Sequence, residues 1–172
     1  HILPDDFSAS QFNFIENKKP QTEKGIITSG ISYVYVKEAL SLLGMNDVPV
    51  LKIGTPYPFP AKLALEFLAE CKTVLAVEEL DPVLENELID LCGKNHLANT
   101  ILGKLTGTVQ EAGENTVESV KKVLSAYISA ADNVSAQEND LHNPPELPVR
   151  PPVLCAGCPH RGSFYAVKQA TK

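Results

Sequence analysis

Nine consecutive residues, Cys155-Ala156-Gly157-Cys158-Pro159-His160-Arg161-Gly162-Ser163, gather two thiols, an imidazole and a guanidinium. A C-x-x-C spacing can serve zinc, an iron–sulfur cluster or dithiol redox chemistry, and a solvated turn is the competing reading. A tetrahedral zinc or a cluster takes four ligands. The remaining cysteines, Cys71 and Cys92, fall at the ends of two helical patterns and read as core or boundary residues. If a helix starts near Arg161, its free N–H groups and positive dipole end can face a phosphate, with Gly157 and Gly162 permitting close approach.

Three further segments carry groups that could touch a ligand. Gly25-Ile-Ile-Thr-Ser-Gly30 is not a P-loop, because Ile31 and Ser32 follow Gly30 where a lysine and a hydroxyl residue are needed, and it fails G-x-G-x-x-G. Gly30 reads as a tight strand-to-helix turn, while Thr28 and Ser29 lie where open α/β sheets place ligand-facing residues. Glu78 and Glu79 follow a strand pattern, and neighbours on a strand face opposite ways, so they are not a paired acid and base. A carboxylate at a helix entry or an interface is the expectation for them, with one glutamate aimed into a crevice as the alternative. Thr55-Pro56-Tyr57-Pro58-Phe59-Pro60 is a stiff loop whose two aromatics suit docking of a neighbouring domain or the wall of a cleft.

The elements that must position these residues are legible from periodicity. From Gly25 onward, short apolar runs alternate with helical ones: GIIT, SYVYVKEALSLLG, VPVLKIG, PAKLALEFLAEC, TVLAV and DPVLENELIDLCG. Ser32 is a candidate cap for the first helix and Gly44 its end. Pro60 suits the first turn of the second helix, and Asp81 with Pro82 reads as an N-cap followed by proline at the first helical position. NTILG is a further strand candidate. A helix from about Thr116 carries the stripe Val117, Val120, Leu124, Tyr127 and Ala131. Strands alternating with helices require crossovers, hence a mostly parallel sheet in a three-layer α/β domain.

The expected organisation is residues 1–24 as a lead-in or edge strand, 25–131 as the α/β body, 132–152 as a linker, and 153–172 as the opening of another domain. The linker holds five prolines and little that could pack a core. Residues 153–172 bury too little by themselves to offset ~1–2 kcal/mol of backbone entropy per residue, so disorder, or non-native contact with the body, is expected there.

At 172 residues, the chain has room for one sizeable core. Hydrophobic residues make up 44% and charged residues 21%, as in a globular chain. No apolar run reaches the ~18–20 residues of a membrane span, and no signal-peptide pattern opens the sequence, so a membrane is not expected and the cytoplasm is the expected compartment. With 15 basic against 21 acidic residues, net −6, nucleic acid is not an expected partner. The start at His1 and the stop soon after the C-x-x-C suggest an excised fragment.

The segment RPPVLCAGCPHRGSFYAVK, taken with GIITSGISYVYVKEAL, VLKIGTPYPFP and TVLAVEELDPVLENEL, resembles the α subunit of indolepyruvate:ferredoxin oxidoreductase, over residues 25–168 and in the expected order. The resemblance implies that the body is similar to the transketolase C-terminal domain and that residues 153–172 begin a thiamine-diphosphate-binding domain. It implies a parent enzyme that oxidatively decarboxylates an aryl pyruvate such as indolepyruvate, with CoA as acyl acceptor and ferredoxin as electron acceptor. The implied cofactors are thiamine diphosphate, Mg2+ and 4Fe-4S clusters, and the implied partner is a β subunit. Gly157, Cys158 and His160 correspond to the motif that approaches the thiamine diphosphate, and Cys155 and Cys158 to possible iron–sulfur ligands. The resemblance places no catalytic residue in this segment, which would be inactive alone. Where the family often shows C-P-G-C, Ala156 stands here and removes no ligand. A non-catalytic docking or dimerisation module and the central domain of another thiamine-dependent 2-oxoacid enzyme are the alternative readings.

Overall fold

The chain divides into two units, His1–Ala136 and Gln137–Lys172. The computed structural model describes residues 7–128 of the first and 157–171 of the second. In the first unit the elements run β1 (Phe14–Glu16), β2 (Thr22–Ser29), α1 (Gly30–Leu42), β3 (Val50–Ile53), α2 (Ala61–Glu70), β4 (Cys71–Val77), α3 (Val83–Asn95), β5 (Thr100–Leu102) and α4 (Val117–Ile128). The second unit contributes α5 (His160–Ala170).

The five strands form one sheet in the order β1-β3-β2-β4-β5. All neighbours are parallel except β1, which pairs antiparallel with β3 through Phe14 and Lys52, Ile15 and Leu51, and Glu16 and Val50. The polar lead-in therefore supplies the edge strand, and β2 begins at Thr22, ahead of the apolar run that opens at Gly25.

Strand β2 sits in the middle of the sheet, and its residues 25–28 are all buried. A parallel strand covered on both faces reads as a continuous apolar run, which is why GIIT carries no alternation. Ile26, Val50, Leu75 and Val77 pack with Val36, Leu40, Val120 and Leu124 under α1 and α4. Ile27, Leu51, Ile53, Val74 and Ala76 pack on the other face with Ala64, Phe67, Leu84 and Leu88 of α2 and α3. The result is the three-layer, mostly parallel α/β arrangement expected from the alternation of runs.

Helix ends match the sequence reading in part. Gly30 has a φ of +53°, the turn conformation expected of it, and Gly44 closes α1 at +68°. The Gly44 N–H donates to the Ser41 carbonyl and the Met45 N–H to the Leu40 carbonyl, the two bonds of a Schellman end. Two cap expectations fail. Ser32 lies inside α1, fully buried, and makes no cap. Asp81 does not cap α3 either, because Pro82 occupies the cap position and an acceptor from farther back takes the first-turn N–H groups. Helix α4 carries a reciprocal cap, the Ser119 N–H donating to Thr116 Oγ1 at 3.1 Å and the Thr116 N–H to Ser119 Oγ at 2.8 Å.

In the second unit, residues 160–170 form α5, close to the helix start expected near Arg161, and no residue of α5 is buried. The linker 132–152, Ala131 and Cys155 lie outside the described residues.

Glycine placement gives a direct stability test. A Cβ on Gly25 would stand 2.6 Å from both Cys71 Sγ and Phe67 Cζ, whereas one on Gly93, inside α3, meets nothing within 4 Å. Gly25→Ala should destabilise by about 1–3 kcal/mol, the usual cost of overpacking a core. Gly93→Ala should stabilise by about 0.5–1 kcal/mol through helix propensity. Thermal melts of the two variants check both signs.

Candidate functional site

The C-x-x-C-P-H segment enters α5 through Gly157, whose φ of +78° makes a turn that favours glycine. The Arg161 N–H donates to the Cys158 carbonyl and the Gly162 N–H to the Pro159 carbonyl, each at 3.1 Å, so a tight turn leads into the helix. Cys158 Sγ lies 3.3 Å from His160 Nδ1. No side chain caps the helix start. Gly157, Cys158 and His160 are thus brought together at one helix N-terminus, and a sulfur beside an imidazole there can act as a thiol–imidazole pair. Among the described residues, no three His, Cys, Asp or Glu side chains come together to hold a metal ion.

The second candidate is the sheet edge at the C-terminal ends of the parallel strands. Glu78 follows β4, is only 3% exposed, and turns its carboxylate onto α3. Its Oε2 accepts the Leu84 N–H at 2.8 Å and its Oε1 the Glu85 N–H at 3.0 Å. Helix starts leave such N–H groups free and carry positive dipole character, so an anion satisfies both needs. Burial pushes the Glu78 carboxyl above its ordinary value, the two N–H bonds oppose that, and the neighbouring Glu85 carboxylate adds to it. The helix-entry role is the one expected for this pair. Glu79 Oε1 accepts the Asn115 N–H at 3.1 Å, and Asn115 Nδ2 donates to the Glu78 carbonyl at 3.2 Å.

Glu85 extends this network. It is fully buried, and its Oε2 accepts the Leu105 N–H at 3.0 Å, while Oε1 has no hydrogen-bond partner. Gly103 allows that approach, since a Cβ there would come within 2.5 Å of Glu85 Oε2. Lys104 is 7% exposed and donates to the Leu80 carbonyl at 2.7 Å. Across the sheet, Asn13 holds the loop after β3: its Oδ1 accepts the Gly54 and Thr55 N–H groups and its Nδ2 donates to Thr55 Oγ1. Asn13, Glu85, Lys104 and Asn115 were not singled out by sequence. Asparagines among polar residues and a glutamate in an ordinary first helical turn give no signal of which distant backbone they will hold.

Thr28 does reach the end of β2, but it is fully buried and its hydroxyl, like that of Ser32, has no hydrogen-bond partner. Tyr57 is 89% exposed whereas Phe59 is buried, so the proline-rich loop anchors with one aromatic and presents the other. Cys71 and Cys92 are buried, and burial pushes both thiols up, as befits core residues.

Two outcomes follow. In Glu78→Gln, the amide NH2 faces one of the two N–H donors and leaves it without an acceptor, and the protein should lose about 1–3 kcal/mol at low pH, where the wild-type carboxyl is neutral. Because the folded-state pKa of Glu78 is raised, the folded protein holds that proton more tightly, and wild-type stability contributed by this group falls as pH rises from its ordinary value toward the folded value. The stability gap between wild type and variant should therefore narrow with rising pH across that window, as read from urea melts; a widening gap would contradict it. In the native protein, Cys158 should react readily with a thiol reagent, and Cys71 and Cys92 only on unfolding, as mass spectrometry of labelled peptides can show.

Comparison with known proteins bears on both regions. No protein-family model matches the sequence. Indolepyruvate oxidoreductase subunit IorA of Methanothermobacter thermautotrophicus is 42% identical over 161 residues, 94% of this chain and 25% of that protein. The same subunit of Pyrococcus horikoshii is 38% identical over 170 residues, 96% of this chain and 26% of that one. That of Archaeoglobus fulgidus is 34% identical over 168 residues. Among solved structures, a chain of the 2-oxoglutarate:ferredoxin oxidoreductase from Magnetococcus marinus, with 2-oxoglutarate, coenzyme A and succinyl-CoA bound, superposes with a TM-score of 0.50 at 19% identity. That match covers 69% of this chain and 20% of that one, and it shows a shared fold. The resemblance read from the motifs is borne out: along nearly all of its length the chain is a relative of one segment of indolepyruvate oxidoreductase subunit IorA, and it spans about a quarter of the length of those relatives.

Proposed function

We propose that this chain is the central segment of an enzyme that oxidatively decarboxylates aryl pyruvates, indolepyruvate above all, to acyl-CoA and CO2 while passing electrons to ferredoxin. The observation that carries the reading is the 42% identity to an indolepyruvate oxidoreductase subunit over 94% of the chain. In this reading, residues 25–131 are a scaffold domain, 132–152 a linker and 153–172 the threshold of the cofactor domain. The partners are a β subunit and ferredoxin, the substrates an aryl pyruvate and CoA, and the compartment the cytoplasm. Among the described residues, no helix is long and apolar enough to cross a membrane.

The residues present suit one part of thiamine diphosphate. The N-terminus of α5, approached through Gly157 and capped by no side chain, presents positive dipole character to a diphosphate, with Cys158 and His160 beside it. The bound cofactor supplies an electron sink for decarboxylation. The fit for a metal is poorer. Of a four-thiolate cluster set, the sequence of this segment provides two, Cys155 and Cys158, and Mg2+ finds no acidic cluster among the described residues, so no step is assigned to either.

The test is turnover. The longer polypeptide with its partner subunit, given indolepyruvate, thiamine diphosphate, Mg2+ and CoA, should reduce a viologen dye in a CoA-dependent manner, and the 172-residue chain alone should not exceed a buffer blank. In the longer polypeptide, Cys158→Ala and His160→Ala should each lower turnover at least tenfold, and Cys92→Ala less than threefold. An intact enzyme idle on indolepyruvate, an active isolated chain, or equal losses in all variants would refute the reading.

A further inference from the structure

Among the described residues of the first unit, six of the ten exposed large apolar side chains gather at one place. Phe12, Ile31, Tyr57, Leu80, Val83 and Leu105 are between 46% and 89% exposed. Phe12 precedes β1, whose antiparallel pairing puts its start beside the end of β3. Ile31 is the second residue of α1, Tyr57 lies between β3 and α2, Leu80 and Val83 between β4 and the first turn of α3, and Leu105 after β5. All six therefore stand at the C-terminal ends of the parallel strands, and every crossover there contributes one. The segments 29–31, 54–60, 80–83 and 104–108 contain two charged residues, Asp81 and Lys104, and Lys104 is buried with its ammonium spent on the Leu80 carbonyl; Glu79, bonded to the Asn115 N–H, and the exposed Glu111 and Glu114 border them. Aromatic enrichment with few charges is the composition of the centre of a protein interface, not of a site for a phosphorylated ligand.

We propose that this rim is the surface on which another domain of the same longer polypeptide docks through an apolar, sparsely charged patch. The inference deepens the proposed function, since it rests on the chain being one segment of a larger protein, a quarter of whose length it spans in its relatives. What selects this occupant is the length of polypeptide at hand: the chain matches about a quarter of its relatives, so about three quarters of their length lies in other segments of the same polypeptide. The exposed parts of the six side chains offer on the order of 600–900 Å2, enough for one side of a domain interface of about 600–1,500 Å2 in total, and tethering raises the effective concentration of the docking domain. The rim is also held in shape beforehand. Asn13 fixes the Tyr57 loop, Glu85 fixes the Leu105 backbone and Lys104 the Leu80 backbone, so docking orders little that is not already ordered.

Carbene footprinting read by mass spectrometry tests this on the 172-residue chain and on the intact longer polypeptide. Labelling at Tyr57 and Leu80 should fall at least fivefold in the intact polypeptide, while Leu42 and Ile89, exposed apolar residues away from the rim, change less than twofold. The double variant Tyr57→Asp, Leu80→Asp should leave the melting temperature of the 172-residue chain unchanged and restore rim labelling in the intact polypeptide. Equal rim labelling in both proteins would overturn the proposal, as would a loss shared by Leu42 and Ile89. Rim protection in the 172-residue chain, together with a dimer in sedimentation equilibrium, would instead make the rim an interface between copies and overturn it too. The footprint does not depend on the substrate: an intact protein inactive on indolepyruvate but protected at the rim refutes the proposed reaction and leaves the docking surface standing.

Discussion

A single buried carboxylate organises the C-terminal edge of the sheet. Glu78 leaves β4 and places both oxygens on the first turn of α3, through the Leu84 and Glu85 N–H groups. Burying a carboxyl group costs free energy unless its oxygens are hydrogen-bonded, and the free N–H groups of a helix start supply those bonds here. The geometry then propagates. With α3 fixed, Glu85 holds the backbone at Leu105, and the Glu78 carbonyl and the Glu79 carboxylate hold Asn115, next to the start of α4. Two of the connections at that edge, β4 to α3 and β5 to α4, are thereby tied to Glu78, Glu79 and Glu85.

The interior beneath this edge follows from β2. Its central position makes it the strand buried on both faces, so Ile26 and Ile27 point into two separate cores, one under α1 and α4 and one under α2 and α3. Gly25 is forced by the same crowding, since Phe67 and Cys71 fill the space where a side chain would go. The scaffold is thus rigid where it bears the two helical layers. The residues proposed to carry chemistry, Cys158 and His160, lie in the second unit.

What the sequence disclosed follows from the range of the interactions. Strand and helix order, the Gly30 turn and the Gly44 helix end were legible because apolar periodicity and positive-φ glycines are local signals. The caps were not. Ser32 and Asp81 have the right residue type in roughly the right place, yet packing buried the first inside α1, and Glu78, coming from the strand end, took the donors meant for the second. Asn13 and Asn115 act on backbone 41 and 37 residues away, a choice set by tertiary geometry and invisible to any window on the chain. At the second unit, a helix start near Arg161 was read from the sequence, and α5 begins at His160 with no residue buried.

The account depends most on the Glu78 clamp being made in solution, and amide hydrogen exchange at Leu84 and Glu85 tests that directly. First-turn helix amides have no intrahelical acceptor and ordinarily exchange fast. With the clamp in place, both should exchange orders of magnitude more slowly than the same amides in an unstructured peptide, and should approach the protection of the amides in β2. Exchange at Leu84 and Glu85 as fast as in an unstructured peptide would contradict the account.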